Sequence, residues 1–190
     1  MIVLSCAKYL NQQQRIITVK EERIEGGGNI NRRAQLSAVV FYLALSGTGN
    51  FAWEIAHVPL YTIWSTGTLN ELIFSVVHCT IGDMMIAFSA LIIAIILSRS
   101  SRWPATSYWH VAGGAIILGV FYTGFSEWLN LEIRKSWEYS NLMPVLDVFG
   151  FVLGISPLAQ WIVVPGLVFW LIRQRLSSMK ISHEGSPQSD

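Results

Sequence analysis

Four long apolar segments constrain the fold of this chain more than any other feature. A helix that crosses a bilayer needs about 20 predominantly apolar residues. The segments are residues 36–61, 69–97, 108–130 and 156–172. The last is the shortest, and it opens with Ser156 and Pro157, a pattern typical of a helix start. Because the apolar runs are continuous rather than alternating, they favour helices over the strands of a membrane barrel.

The composition indicates the class of protein and excludes some partners. Only 13% of the residues are charged, whereas about a quarter are charged in a typical soluble domain. The net charge of +1 leaves no basic face that could neutralise nucleic-acid phosphates, so no nucleic-acid partner is expected. Membrane lipids are the expected partners. Cys6 and Cys79 lie far apart and form no CxxC motif, so no disulfide framework is predicted.

The sequence predicts three regions. Residues 1–34 are polar, mixed in charge and end in EGGGNINRR, which indicates a flexible cytoplasmic N-terminal tail. Residues 35–175 are the predicted transmembrane domain, and residues 176–190 are the predicted cytoplasmic C-terminal tail. The predicted fold class is therefore all-α, an integral membrane four-helix bundle.

Lysine and arginine residues predict the orientation in the membrane. Loops rich in these residues stay in the cytoplasm. Of the thirteen, eleven lie in the N-terminal tail, the link between the second and third segments, and the C-terminal tail. Only Arg134 and Lys135 lie on the opposite side. We therefore expect a multi-pass protein of the bacterial inner (plasma) membrane, with both termini in the cytoplasm.

The predicted outer loop between the third and fourth segments, residues 131–155, differs from an ordinary linker. It contains Trp137 and Tyr139, and its apolar end, residues 148–155, is too short to span. We expect that end to be amphipathic and interfacial, or re-entrant like a lid. Four tryptophans near segment ends are expected to be interface anchors: Trp103, Trp109, Trp137 and Trp170.

Ionisable side chains inside the spans are the main functional signal. Each costs roughly 2.5–3.5 kcal/mol at mid-bilayer, so such residues are rare and usually face the bundle interior. Glu54 and His57 share one face of the first helix. His78 lies in the second span and Glu127 in the third. A rise of about 1.5 Å per residue places all four in the outer half of the bilayer, so they are predicted to form one cluster. Four more polar residues are expected around it: Asn50, Asp83, Asn130 and Gln160.

Three kinds of chemistry fit this cluster. Glu-x-x-His is the spacing of metal ligands in di-metal helical bundles. The four clustered residues are therefore predicted to bind a transition metal such as zinc, iron or manganese. Alternatively, His57 and His78 could hold a haem between them. Without any metal, a carboxylate beside a histidine can take up and release protons.

The leading functional hypothesis is a metal site that serves a membrane-embedded enzyme. Glu54 and Glu127 would be its catalytic carboxylates, and a lipid-like small molecule its substrate. One alternative is a proton-coupled transporter or channel-like protein, which with only four spans would also need to be a homo-oligomer. The other is a structural or assembly protein, in which the cluster only pairs with itself. The sequence leaves open whether the chain is an enzyme.

Proline and glycine residues in the spans carry structural expectations. Pro59 either kinks the first helix or marks its end. Four glycines in the third span are expected to permit close helix packing: Gly113, Gly114, Gly119 and Gly124.

Five short stretches carry a resemblance to a family. In order, WEIAHVPLY, HCTIGD, FSEWLN, WEYSNLMPVL and QWIVVP resemble a family of small, uncharacterised bacterial integral membrane proteins with four spans. The resemblance covers about Phe51–Pro165 and leaves the N-terminal tail outside it. It implies a multi-pass membrane protein, and it implies no activity, substrate or cofactor.

Overall fold

The computed structural model describes residues 32–148 and 150–184. The chain divides into two compact units, Met1–Ala38 and Val39–Asp190. The described part of the first unit is the beginning of a helix. Most of the predicted N-terminal tail and the last residues of the C-terminal tail lie outside the described residues.

Helices make up most of the described chain. In chain order they are α1 (Arg32–Leu60), α2 (Ile63–Thr66), α3 (Leu69–Leu97), α4 (Tyr108–Trp128) and α5 (Ile155–Glu184). A π-helical turn, Leu129–Ile133, extends α4. The part of the chain that the structure describes thus contains four helices, α1, α3, α4 and α5, that are long and apolar enough to cross a membrane. The prediction of four such helices is confirmed.

The helix ends have local causes. α3 begins where predicted because Thr68 and Glu71 form a capping box, in which Glu71 Oε2 accepts from the Thr68 N–H at 2.7 Å. Pro59 lies in a 3₁₀ turn, Val58–Leu60, that closes α1, so it marks the helix end. α5 is longer than predicted, because the arginines after Ile172 end the apolar run without breaking the helix.

The loop between α4 and α5 contains a short β-hairpin. β1 (Val145–Val148) and β2 (Phe151–Gly154) pair antiparallel, with Val145 opposite Gly154. Gly150 has a φ of +85°, a conformation that favours glycine, and its N–H donates to Asp147 Oδ1 at 2.8 Å. The all-α prediction is therefore incomplete. The valine and phenylalanine residues of β1 and β2 favour strands.

Close packing between helices uses two of the four glycines. A Cβ on Gly119 would lie 2.1 Å from Cε3 of Trp161 in α5, and one on Gly114 would lie 3.3 Å from the Cβ of Ala94 in α3. The packing role is thus confirmed at Gly119 and Gly114. A Cβ on Gly113 would meet nothing within 4 Å.

Aromatic side chains close the end of the bundle where α3 ends and α4 begins. Trp103 is only 2% exposed and packs between Tyr108 and Phe169. The Tyr108 hydroxyl donates to the Phe169 carbonyl oxygen. Trp103 is therefore a core residue, and its prediction as an interface anchor is wrong. Trp109 and Trp170 are exposed, as the anchor prediction requires.

Two glycine variants test this packing. Gly119→Ala should lower the free energy of unfolding by about 1–3 kcal/mol, because the new methyl group overlaps the Trp161 ring. Gly113→Ala is the matched control in the same helix, and it should leave stability unchanged or raise it by up to about 1 kcal/mol. Unfolding in mild detergent gives both values. Equal destabilisation of the two variants would contradict the packing.

Candidate functional site

Seven of the eight predicted polar residues, all except Asn50, line a cavity at the other end of the bundle. At this end, called here the site end, α1 and α4 finish while α3 and α5 begin. The cavity has a volume of about 790 Å³ and is lined by all four long helices and by residues 134–138. This volume lies within the usual range of small-molecule sites, roughly 300–1,000 Å³.

Glu54 and His57 form the centre of the site. Both belong to the last turns of α1, three residues apart, and both are only 7% exposed. His57 Nε2 lies 3.1 Å from Glu54 Oε2, and His57 Nδ1 lies 3.1 Å from the hydroxyl oxygen of Ser156. The Glu54 carboxylate can only accept a hydrogen bond, so in a neutral imidazole ring the proton lies on Nε2, which donates to Glu54. Nδ1 then accepts a hydrogen bond from the Ser156 hydroxyl.

The Gln160 side chain joins three helices. Its amide nitrogen, in α5, lies 3.2 Å from Asn50 Oδ1 and 3.3 Å from Glu54 Oε1, both in α1. It lies 2.8 Å from Asp83 Oδ2 in α3. Two N–H groups are thus shared among three acceptors. A continuous hydrogen-bonded chain results, from Asp83 through Gln160 and Glu54 to His57 and Ser156.

Glu127 lies on the cavity wall in the last turn of α4 and is 5% exposed. The Tyr139 hydroxyl donates to its Oε2 and accepts from the Gly154 N–H at 2.7 Å. Asn130, in the π-helical turn, donates to the Ser126 carbonyl oxygen at 2.8 Å. The sequence did not identify Tyr139 as a site residue, since a loop tyrosine outside the spans carries no sign of its partner.

His78 takes a different position from the other predicted ligands. Its side chain is exposed, stacks on the Phe74 ring at 5.4 Å, and borders the cavity. It makes no hydrogen bond to the other three predicted ligands. Among residues 32–148 and 150–184, no three His, Cys, Asp or Glu side chains converge as metal ligands do. The predicted metal set of Glu54, His57, His78 and Glu127 therefore receives no support, and metal binding stays a prediction.

A strap, residues 137–140, closes the site end. Tyr61 and Tyr139 form an antiparallel bridge, the Thr62 N–H donates to the Glu138 carbonyl at 3.0 Å, and the Ser140 N–H donates to the Leu60 carbonyl at 2.8 Å. The Tyr61 ring packs edge-on to His57 at 5.4 Å and to Trp137 at 6.5 Å. Trp137, predicted as an interface anchor, thus lines the cavity as part of the strap.

Tyr139 in the strap and Tyr61 beside it both remain neutral. Burial raises the pKa of Tyr61 well above its usual value of 10.0, and the nearby charge of Glu127 raises it further. Burial raises the pKa of Tyr139 as well, again with help from the Glu127 charge. Both phenols therefore keep their protons at physiological pH, which lets Tyr139 donate to Glu127.

Charged groups divide the cavity into an acidic interior and a basic rim. Glu54, Asp83 and Glu127 line the interior. The contact between His57 and Glu54 becomes an ion pair only when the imidazole ring is protonated. Arg134 and Lys135 lie exposed at the rim, at the site end of α4.

Comparison of the chain with protein-family models, curated proteins and solved structures finds no match. The resemblance to small four-span membrane proteins stays an expectation for this reason. Function must be argued from the geometry of the cavity.

Replacing Tyr139 tests the connection between the strap and the site. Tyr139→Phe removes the partner of Glu127 and of the Gly154 N–H, so it should cost about 1–3 kcal/mol of unfolding free energy. Tyr122→Phe, at an exposed position on the same cavity, is the control and should cost almost nothing. The measurement is unfolding in mild detergent.

The pH dependence of this loss follows from the raised pKa of Tyr139. A folded-state pKa above the unfolded value of 10.0 means that the stabilisation is fully present below pH 10 and is lost as the pH rises through the folded-state value. The stability difference between wild type and Tyr139→Phe should thus stay constant from about pH 7 to 9 and shrink in stronger alkali. A difference that already falls below pH 9 would contradict the assignment.

Proposed function

We propose that this protein is a membrane-embedded enzyme that performs acid–base chemistry on an amphipathic, lipid-like small molecule. One observation carries the proposal: the buried Glu54–His57 pair lies on the wall of a cavity of about 790 Å³. General acid–base catalysis needs a group that can take up and return a proton beside a space that holds the substrate.

The polar residues predicted at the site have distinct roles in this proposal. His57 moves the proton through Nδ1, while Glu54 orients the ring and stabilises its charged form. Asn50, Asp83 and Gln160 position Glu54 through the shared amide nitrogen. Glu127 and Asn130 bind the polar part of the substrate from α4.

Exposed side chains on the cavity wall support entry of the substrate from the side. Met85 in α3 is 67% exposed and Tyr122 in α4 is 50% exposed, and both border the cavity. If the bundle lies in a bilayer, an apolar tail can leave the cavity between these helices while the polar group stays inside.

Packing in the other half of the bundle favours an enzyme over a transporter or channel. Leu91, Val111 and Phe169 are at most 1% exposed, and the hydrogen-bonded chain described above ends at Asp83. A transported species would have to pass this apolar core. A cavity confined to one half of the bundle suits a substrate that enters and leaves by the same lateral route.

Metal-assisted chemistry would require a rearrangement of the site. Both ring nitrogens of His57 already have protein partners, so a bound zinc, iron or manganese ion would have to displace Glu54 or Ser156. A haem held between His57 and His78 would likewise have to displace Glu54 or Ser156 from a ring nitrogen of His57. Acid–base chemistry uses the arrangement as it stands.

Substitutions in the pair test the proposal. Wild-type protein, added to lipid extracts of bacterial membranes, should consume at least one amphipathic compound, followed by mass spectrometry. Glu54→Gln and His57→Ala should slow that conversion by about 100-fold or more, whereas the exposed Glu132→Gln should not. Conversion that survives both substitutions, or no conversion by folded wild type, would refute the enzyme. Elemental analysis of the same samples detects any bound metal.

The proposed orientation places the site end outside the cytoplasm of a bacterial inner membrane, because Arg134 and Lys135 are the only lysine and arginine at that end among the residues whose side chains the structure describes. In a background in which serine replaces Cys6 and Cys79, Thr66→Cys should react with a membrane-impermeant maleimide on spheroplasts. Ala105→Cys should react only after lysis. The reverse pattern would overturn the orientation.

A further inference from the structure

We propose that Ser156, His57 and Glu54 form a serine-hydrolase triad and that the substrate is an amphipathic carboxylic ester. This inference rests on the proposed function, since it names the nucleophile and the substrate class of the same site. It adds a covalent step that acid–base chemistry alone does not require.

The order of contacts carries the inference. The Ser156 hydroxyl oxygen lies 3.1 Å from His57 Nδ1, and His57 Nε2 lies 3.1 Å from Glu54 Oε2. A nucleophile, a base and an orienting carboxylate joined in this order define a triad by geometry rather than by sequence position. The two ring nitrogens are exchanged relative to the best-known triads. The chemistry is equivalent, because either nitrogen can hold the proton while the other accepts.

The start of α5 leaves one backbone donor beside the nucleophile. The Gly154 N–H donates to the Tyr139 hydroxyl, the Ile155 N–H donates to the Pro144 carbonyl at 2.8 Å, and Pro157 has no N–H. The remaining N–H of this first turn belongs to Ser156 itself, and it has no carbonyl of the same helix four residues before it. A donor in that position can stabilise the negative oxygen that forms when the hydroxyl attacks a carbonyl.

The reaction balances with water as the second reactant. The Ser156 oxygen attacks the ester carbonyl carbon as its proton passes to His57 Nδ1, and Glu54 stabilises the resulting imidazolium. The carbon–oxygen bond to the alcohol then breaks, the alcohol leaves with that proton, and the acyl group remains on Ser156. Water attacks the acyl-enzyme and gives a proton to His57, which returns it to Ser156 as the carboxylic acid departs. The sum is ester plus water giving acid plus alcohol.

The charge of the interior favours a carboxylic ester over a phosphate ester. Glu54, Asp83 and Glu127 line the interior, so a reacting group that is already anionic would meet carboxyl groups there, away from the basic side chains of the rim. An ester carbonyl is neutral until it is attacked. Ser156 is half-buried, and its hydrogen-bond partner His57 and its neighbour Pro157 both line the cavity. The ester carbonyl would lie at this wall, beside the Ser156 hydroxyl.

An alkyl fluorophosphonate probe tests the nucleophile directly, without a known substrate. In mild detergent, the probe should label purified wild-type protein at Ser156, as located by peptide mass spectrometry. Ser156→Ala should abolish labelling, and His57→Ala should slow it by about 100-fold or more. Ser75→Ala is the matched control, since Ser75 borders the same cavity, and it should label like wild type. Para-nitrophenyl acyl esters should give a burst of about one equivalent of nitrophenol in wild type and none in Ser156→Ala.

The outcomes separate this inference from the proposed function. Folded wild-type protein that is unlabelled, or labelled at another serine, overturns the triad. If Glu54→Gln still blocks conversion of membrane compounds in that case, the acid–base enzyme stands without Ser156 as nucleophile. Labelling at Ser156 that depends on His57 supports the triad, provided that unfolding curves show Ser156→Ala to be folded.

Discussion

The shared hydrogen bonds of Gln160 hold the functional end of this bundle together. Its amide nitrogen reaches Asn50, Glu54 and Asp83, so one side chain links α1, α3 and α5. A buried carboxylate without a hydrogen-bond partner lowers the stability of the folded protein. Truncating one side chain of the network therefore destabilises the protein, because the remaining polar groups lose their partner. The position of Glu54, and through it the orientation of His57, depends on this residue, which is itself only 2% exposed.

A second connection fixes the remaining helix. Glu127 at the end of α4 is held by Tyr139, and Tyr139 also binds the backbone where β2 meets α5. The strap therefore does more than cover the cavity, because it joins the end of α4 to the start of α5. The same start of α5 presents Ser156 to His57. Structure and proposed chemistry thus share the same few hydrogen bonds.

The interior of the bundle differs between its two halves. Away from the site end, aromatic rings pack closely, as at Trp103 against Phe169. At the site end, polar side chains replace this packing and leave a cavity. Such a division is expected when one part of a protein supplies stability and another part carries a function that opposes tight packing.

Local pattern made the helices predictable. Continuous apolar runs gave the spans, and the capping box at Thr68 sets the start of α3 where the sequence places it. Spacing along α1 was enough to predict that Glu54 and His57 meet. The hairpin was missed because its strands are only four residues each, too short for a periodic signal, and Trp103 was misplaced because a position near a span end does not reveal burial.

By itself, the sequence determined the number of apolar helices, their approximate limits and the polar residues that their interior must accommodate, because these depend on neighbours along the chain. Tertiary structure decided which polar groups touch. It turned His78 toward the surface, joined Asp83 to Glu54 through Gln160, and brought Ser156 and Tyr139 from distant segments to His57 and Glu127. Those pairings depend on how the helices rotate and pack against one another, and no spacing within a single helix encodes that.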